Sequence, residues 1–223
     1  MSPSCRLLLF LRYPQPGRTK TRLIPALGAA GAAQLQRQMA EYLLAKISHP
    51  DWETQIHFSG TSLQEMQAWL GPHRSYRSQV KGDLGERLWS GFRSAFAEGD
   101  AQSPNQSPTQ VIAIGADCPD LSVRHIHRAF EQLDHHDLVI GPAKDGGYYL
   151  IGLRQSAKQT AEQSTPTAQQ ALFKNISWST AAVLQQTIDK AQTLGLSMSQ
   201  LEMLSDVDRP QDLPIWYRLQ SVA

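Results

Sequence analysis

The sequence is poor in cysteine, with only Cys5 and Cys118 in 223 residues. Cys5 precedes a predicted strand and Cys118 follows another. In parallel strands the two thiols stand about five residues apart, roughly 16 Å. A disulfide needs Cα atoms within about 7 Å, so a disulfide scaffold is excluded, and two cysteines alone do not make a zinc site. Long apolar runs are missing as well. The longest early one, Leu7–Leu11, is bracketed by Arg6 and Arg12. A bilayer span takes about 20 residues. The run is also short for a signal-peptide core, and no small-residue cleavage site follows it. A cytoplasmic protein is expected. Acid is absent from the front: residues 1–40 hold Arg6, Arg12, Arg18, Lys20, Arg22 and Arg37, and the first acidic residue is Glu41. The front therefore carries +6 and the remainder −5, within a net charge of +1. That balance excludes a generic nucleic-acid binder. With 41% hydrophobic and 18% charged residues the chain is neither disordered nor membrane-embedded.

What is present is an alternation of strands and helices. Strands are expected at Arg6–Tyr13, Thr54–Ser59, Ser75–Val80, Val111–Gly115, Asp137–Gly141, Tyr148–Leu153 and Leu196–Leu204. Between them lie helices near Ala29–Ser48, from the capping box Ser62–Glu65 to Leu70, over Leu88–Phe96, from Ser122 to Leu133, near Thr167–Lys174 and over Ser179–Leu194. A last helix starts at Pro210. This pattern predicts one α/β domain over 1–223, doubly wound around a mostly parallel sheet, with polar surface loops at 99–110 and 154–166.

In such a sheet, ligands bind beyond the carboxyl ends of the strands, and three charged segments fall there. Arg12 to Arg22 follows strand one and packs Arg12, Arg18, Lys20 and Arg22 beside Gly17. Cations without an acid, next to a glycine, suit a nucleotide diphosphate or triphosphate, although a merely solvated basic loop has the same composition. The spacing is neither that of a Walker A loop nor G-x-G-x-x-G. Asp117-Cys-Pro-Asp120 follows the most apolar strand, where a carboxylate can hold a hard divalent cation against a phosphate; Asp120 can instead cap the next helix. In Asp206-Val-Asp208 the period-two side chains place both carboxylates on one side, with Asp208 also a candidate N-cap. The loop around Asp83 and the turn Asp145-Gly146-Gly147-Tyr148 add mixed charge, glycines and aromatics. The turn reads equally as a hairpin. Trp178 either packs or lines a pocket. The seven histidines are scattered and read as surface residues.

These motifs, in this order, resemble a bacterial family with a GT-A, nucleotide-diphospho-sugar transferase-like fold, whose members are called glycosyltransferases or radical-SAM/selenodomain-associated transferases. The matching stretches are Phe10–Leu23, Gly82–Arg87, Ile114–Leu121, Gly141–Leu153, Trp178–Thr180 and Asp206–Leu213. The resemblance implies a transferase with a nucleotide over the carboxyl ends of the strands and Mg²⁺ or Mn²⁺ bridging its phosphates. The resemblance matches Arg18, Lys20 and Arg22 to phosphate binding; the loop composition adds Arg12, Gly17 and Asp83 as candidates. Asp117, Asp206 and Asp208 are expected as metal ligands by the same resemblance; from the residues themselves, Asp117 and Asp145 are candidate catalytic groups, and Gly146, Gly147, Tyr148 and Trp178 candidates for the acceptor pocket. The partners are a nucleotide or nucleotide-sugar and a small-molecule acceptor. The leading expectation is a metal-dependent glycosyltransferase-like enzyme. A nucleotidylyltransferase releasing pyrophosphate is the alternative, and a non-catalytic nucleotide-binding protein a third. Two departures stand out: the central motif is D-x-x-D rather than D-x-D, and Arg209 occupies a position expected to hold a small hydroxyl residue.

Overall fold

The structure is a computed structural model, and it describes residues 5–98, 108–155 and 167–220. Most of the two expected surface loops lies outside these residues. Their described edges correct the expectation: Gln110 and Arg154 are not loop residues but strand residues, paired with each other.

The strands are β1 (Cys5–Arg12), β2 (Glu53–Ser59), β3 (Ser75–Ser78), β4 (Gln110–Ile114), β5 (Leu138–Pro142), β6 (Tyr148–Arg154) and β7 (Met198–Gln200). The helices are α1 (Ile24–Lys46), α2 (Leu63–Leu70), α3 (Leu84–Ala97), α4 (Val123–Leu133), α5 (Ala168–Leu172), α6 (Val183–Thr193) and α7 (Leu213–Gln220). All seven strands form one sheet in the order β3-β2-β1-β4-β6-β5-β7. Every pairing is parallel except those of β6, which runs antiparallel to both β4 and β5. The cause is local. The link from β5 to β6 is too short for a crossover helix, and it closes as a hairpin in which Ala143 N donates to Gly147 O (3.0 Å). β7 is shorter than expected; beyond it Leu201 N still donates to Ile140 O (2.9 Å), and Leu204 is bridged to Ala143.

Alternation along β1 sorts the core. Leu7, Leu9 and Leu11 face a layer built with Leu43 of α1, Met66 of α2 and Phe130 of α4. Leu8 faces the opposite layer, with Phe92 of α3, Leu172 of α5 and Ala191 of α6. Helices therefore cover both faces of the sheet, which is why its central strands read as continuous apolar runs. Neither Cys5 nor Cys118 is in a disulfide. No helix of the described residues is long and apolar enough to cross a membrane.

One charge of the basic front is structural. Arg6 is buried and pairs with Glu53 (2.9 Å) at the amino end of the sheet. Nearby His57 is 2% exposed, stacks on Phe10 and holds Gln55 Oε1 at 2.8 Å through Nε2. Burial first, then Arg77 and Arg6, pushes its pKa from 6.5 down to about 4. The folded state thus binds fewer protons than the unfolded chain in that window. Stability present above pH 6.5 is therefore lost as the pH falls toward 4. The expected loss from this residue is about 3 kcal/mol. Urea unfolding of the wild type and His57→Leu from pH 7 to 4 checks it: the difference between the two should narrow with acidification, and a constant difference would refute the assignment.

Candidate active site

Beyond the carboxyl ends of the strands lies a cleft of about 640 Å³. Its floor is Gly115, Asp117 and Cys118, just past β4. Its walls are the β5–β6 hairpin (Lys144, Asp145, Gly147, Tyr148), the stretch from Trp178 to Ala181, and the C-terminal segment with Asp206, Asp208, Arg209 and Asp212. Arg22 reaches in from the first loop.

The backbone brings the acids together. Val207 N donates to Asp117 O (2.8 Å), laying the C-terminal segment along the β4 loop. Val207 is fully buried, so the extended chain turns Asp206 and Asp208 the other way, into the cleft. The hairpin tip turns at Gly146 (φ +89°), where Asp145 Oδ1 accepts from Gly147 N (2.8 Å). This fixes the Asp145 carboxylate at the rim.

Lys20 adopts a left-handed backbone (φ 50°) at the start of a 3₁₀ turn, Thr21–Leu23. A non-glycine residue in that region is strained and persists where its surroundings hold it. Here the ammonium is buried, pairs with Asp117 (2.8 Å) and donates to Val207 O. Arg22 pairs with Asp208. Half of the strand-one cations are therefore already engaged by the carboxylates of the same site, and the charge asymmetry along the chain is partly cancelled in space.

The electrostatics of the cleft are dominated by acid. Arg22, Lys144 and Arg209 face Asp117, Asp145, Asp206, Asp208 and Asp212. Burial raises the pKa of Asp206, and the charges of Asp145, Asp212 and Asp208 raise it further. Burial likewise pushes up the Cys118 thiol, so it stays protonated, and the Tyr148 hydroxyl, with Thr187 opposing only in part. The Trp178 indole closes one wall. It stands so close to Gly85 that a Cβ there would lie 2.8 Å from its ring.

Of the residues singled out from sequence, Arg22, Asp117, Asp145, Gly147, Tyr148, Trp178, Asp206 and Asp208 line this one cleft. Gly146 shapes the hairpin tip and Lys20 stands directly beneath Asp117. Arg12, Gly17 and Arg18 are exposed and do not line it. Asp83 is the N-cap of α3, in a reciprocal capping box with Glu86. Asp120 is held by Arg218 of α7 (3.1 Å). Asp208 is not a helix cap: Asp212 Oδ2 takes that part, accepting from the backbone N–H of Asp208 (3.1 Å) and Arg209 (2.7 Å). The sequence reading missed Ser179 to Ala181 as a wall. Ser179 there takes a left-handed backbone (φ 64°) although it is not glycine. It also missed Arg209 as a cleft cation, seeing it only as a departure from a pattern.

A parallel sheet with one reversed strand, helices on both faces and an acidic cleft at the carboxyl ends defines the nucleotide-diphospho-sugar transferase fold. Within it, the chain belongs to the family described as an uncharacterized protein conserved in bacteria (DUF2064), whose profile matches residues 43–180. A crystal structure from Desulfovibrio desulfuricans G20, of a protein provisionally named a nucleotide-diphospho-sugar transferase, is 32% identical, with a TM-score of 0.83 over 96% of this chain and 87% of that one. The same fold at lower identity occurs in CMP:2-keto-3-deoxy-manno-octonic acid synthetase in complex with CTP (10% identity, TM-score 0.55, 98% of each chain). It occurs again in glucosyl-3-phosphoglycerate synthase from Mycobacterium tuberculosis, in complex with Mn²⁺, UDP and phosphoglyceric acid (14%, TM-score 0.54, 96% of this chain and 74% of that one). No curated protein matches the chain.

Proposed function

We propose that this protein is a transferase that takes a nucleotide-diphospho-sugar as donor and works with Mg²⁺ or Mn²⁺. The observation that carries the reading is the convergence of Asp117, Asp145, Asp206 and Asp208 on one cleft, with Asp206 driven toward its protonated form by burial and by its neighbours. Carboxylates crowded without enough cations are stabilised by a hard divalent ion, which takes oxygen ligands. The donor chemistry suits such an ion, and Asp117, Asp206 and Asp208 would hold it by drawing closer than they stand here, since among the described residues they do not form a group with ligand atoms all within 4.8 Å of one another. When bound, it supplies positive charge to the leaving diphosphate.

The chain's own residues supply the rest. Lys20 fixes Asp117 from below and is a positioning residue. Lys144 and Arg209 lie within the cleft to neutralise phosphate oxygens, while Arg22 is paired with Asp208. Asp145, at the rim, accepts the proton of the acceptor hydroxyl. Tyr148 and Trp178 offer aromatic surface to a sugar ring.

The same charge count favours a diphospho-sugar over a free triphosphate. The first loop reads as a dense cationic patch, but Lys20 and Arg22 are engaged by carboxylates and Arg12 and Arg18 lie outside the cleft lining. A more highly charged triphosphate would meet a surface with more acid than base. Thermal-shift measurements with nucleoside diphosphates, nucleotide-sugars and nucleoside triphosphates, each with and without Mn²⁺, test the reading, followed by turnover assays on the binders. Metal-dependent stabilisation by a nucleotide-sugar, with release of the nucleoside diphosphate, is expected. Release of pyrophosphate from a triphosphate would replace it with nucleotidyl transfer. Binding with no turnover would leave a nucleotide-binding protein.

A further inference from the structure

A second group of metal-binding side chains lies at the opposite end of the sheet and takes no part in the cleft. His49 and Asp51 sit between α1 and β2, and His127 is on α4; one ligand atom from each can be chosen so that all lie within 4.8 Å of one another. Asp51 Oδ2 is 3.5 Å from His49 Nδ1 and 3.6 Å from His127 Nε2. These gaps exceed a good N–H···O hydrogen bond of about 2.7–3.2 Å. They approach the separation of roughly 3.3 Å between ligands held 2.0–2.1 Å from a tetrahedral zinc ion.

The two rings are held in advance. Trp52 is 6% exposed, and its indole N–H donates to Ile47 O (3.1 Å). It stacks on His49 (centroids 4.9 Å apart) and meets His127 edge-on (5.0 Å). The rings of His49 and His127 are themselves perpendicular at 4.8 Å. The Asp51 backbone N–H donates to His49 Nδ1 over a long 3.4 Å, a weak bond that an ion taking this nitrogen's lone pair would displace. Each side chain is part-exposed, so an ion can enter from solvent. Glu131, one helical turn beyond His127, lines a hollow shared with Asp51 and His127.

We propose that His49, Asp51 and His127 form a divalent transition-metal site that binds zinc, clipping the α1–β2 loop to α4 and leaving the fourth position to water or Glu131. Two imidazoles and one carboxylate form a borderline donor set that suits Zn²⁺, unlike the all-oxygen cleft, which suits Mg²⁺ or Mn²⁺. The site is independent of the transferase reading.

The test is titration of the chelator-stripped full chain with Zn²⁺, and with Co²⁺ as an optical probe. One Zn²⁺ per chain is expected, with a Co²⁺ visible spectrum of low-coordinate type. The site should persist in the double variant Asp206→Asn/Asp208→Asn. It should weaken about 100-fold or more in His127→Gln and in Asp51→Asn, since even loss of an outer partner of a metal ligand costs 10–100-fold. Two variants are used so that a folding defect in one does not decide the result. Absence of a stoichiometric Zn²⁺ site in the wild type would overturn the proposal. So would zinc binding unchanged in both single variants, or lost in the cleft double variant.

Discussion

Asp206→Asn is expected to lower turnover by on the order of 10²–10³, the scale of removing one preorganised charge from a transition-state site, while the metal-free protein becomes more stable at neutral pH. Both effects come from the same crowding. Burial and the charges of Asp145, Asp212 and Asp208 raise the Asp206 pKa in the folded state. The folded chain then holds that proton to higher pH than the unfolded chain does. Stability contributed below the ordinary carboxylate pKa is lost as the pH rises through the raised one. A neutral amide removes the loss. The gain should stay within about 1 kcal/mol, because the carboxyl is only half-buried and solvent screens it. It should shrink as the pH drops below the ordinary carboxylate range. Mn²⁺ should stabilise the wild type more than the variant. Denaturant unfolding at pH 4 and 7, with and without Mn²⁺, reads all three effects. A variant less stable than the wild type at pH 7 without metal would show that Asp206 is a structural acid.

Gly146→Ala should cost about 3 kcal/mol or more and weaken nucleotide binding with it. Two penalties combine. At φ +89° an L-residue is strained by roughly 1–2 kcal/mol. A Cβ there would also stand 2.3 Å from Ala181 O and 2.6 Å from Ala181 Cα. That is backbone, not a side chain able to swing aside, and overpacking of this kind costs about 1–3 kcal/mol more. Gly146 O accepts from Leu184 N (2.9 Å), so relief of the clash pulls the hairpin tip away from the start of α6 and carries the Trp178–Ala181 wall outward. Gly17→Ala is the control. Its φ is +77°, but nothing lies within 4 Å of the added Cβ, so only the backbone cost of roughly 1–2 kcal/mol remains. Equal unfolding midpoints for the two variants would show that the tip is not packed on Ala181.

The fold was legible where local rules and burial agree. The run Leu7–Leu11 could only be a strand buried on both faces. The capping boxes at Ser62 and Ser122 start α2 and α4 where expected. The Asp145-Gly-Gly turn allowed a hairpin reading, but the reversal of β6 against β4 and β5 emerges only in the structure. Strand edges were less legible: Gln110 and Arg154 have loop-like neighbours, and only pairing across the sheet makes them strand.

For the site, the residue types sufficed to place carboxylates and cations at strand ends, because an α/β sheet delivers its loops there. They did not settle which cations are free. Arg12, Arg18, Lys20 and Arg22 are equivalent in composition, yet Lys20 is buried on Asp117, Arg22 meets Asp208, and Arg12 and Arg18 stay outside the cleft lining. Asp208 looked as good a helix cap as a ligand until Asp212 was seen to cap the turn from behind. The histidines show the same limit. His49 and His127 are 78 positions apart, with no metal spacing between them, and α4 packing beside the α1–β2 loop is what sets them around Asp51.

The sequence by itself determined the two-faced sheet, the strand-end placement of the acids and the scarcity of acid at the front, since periodicity, turn chemistry and composition are local properties. The tertiary structure alone decided which opposite charges cancel, which glycine touches a distant backbone and which scattered side chains become neighbours. Those outcomes depend on contacts between residues far apart in the chain, and packing fixes such contacts only when the whole sheet has closed.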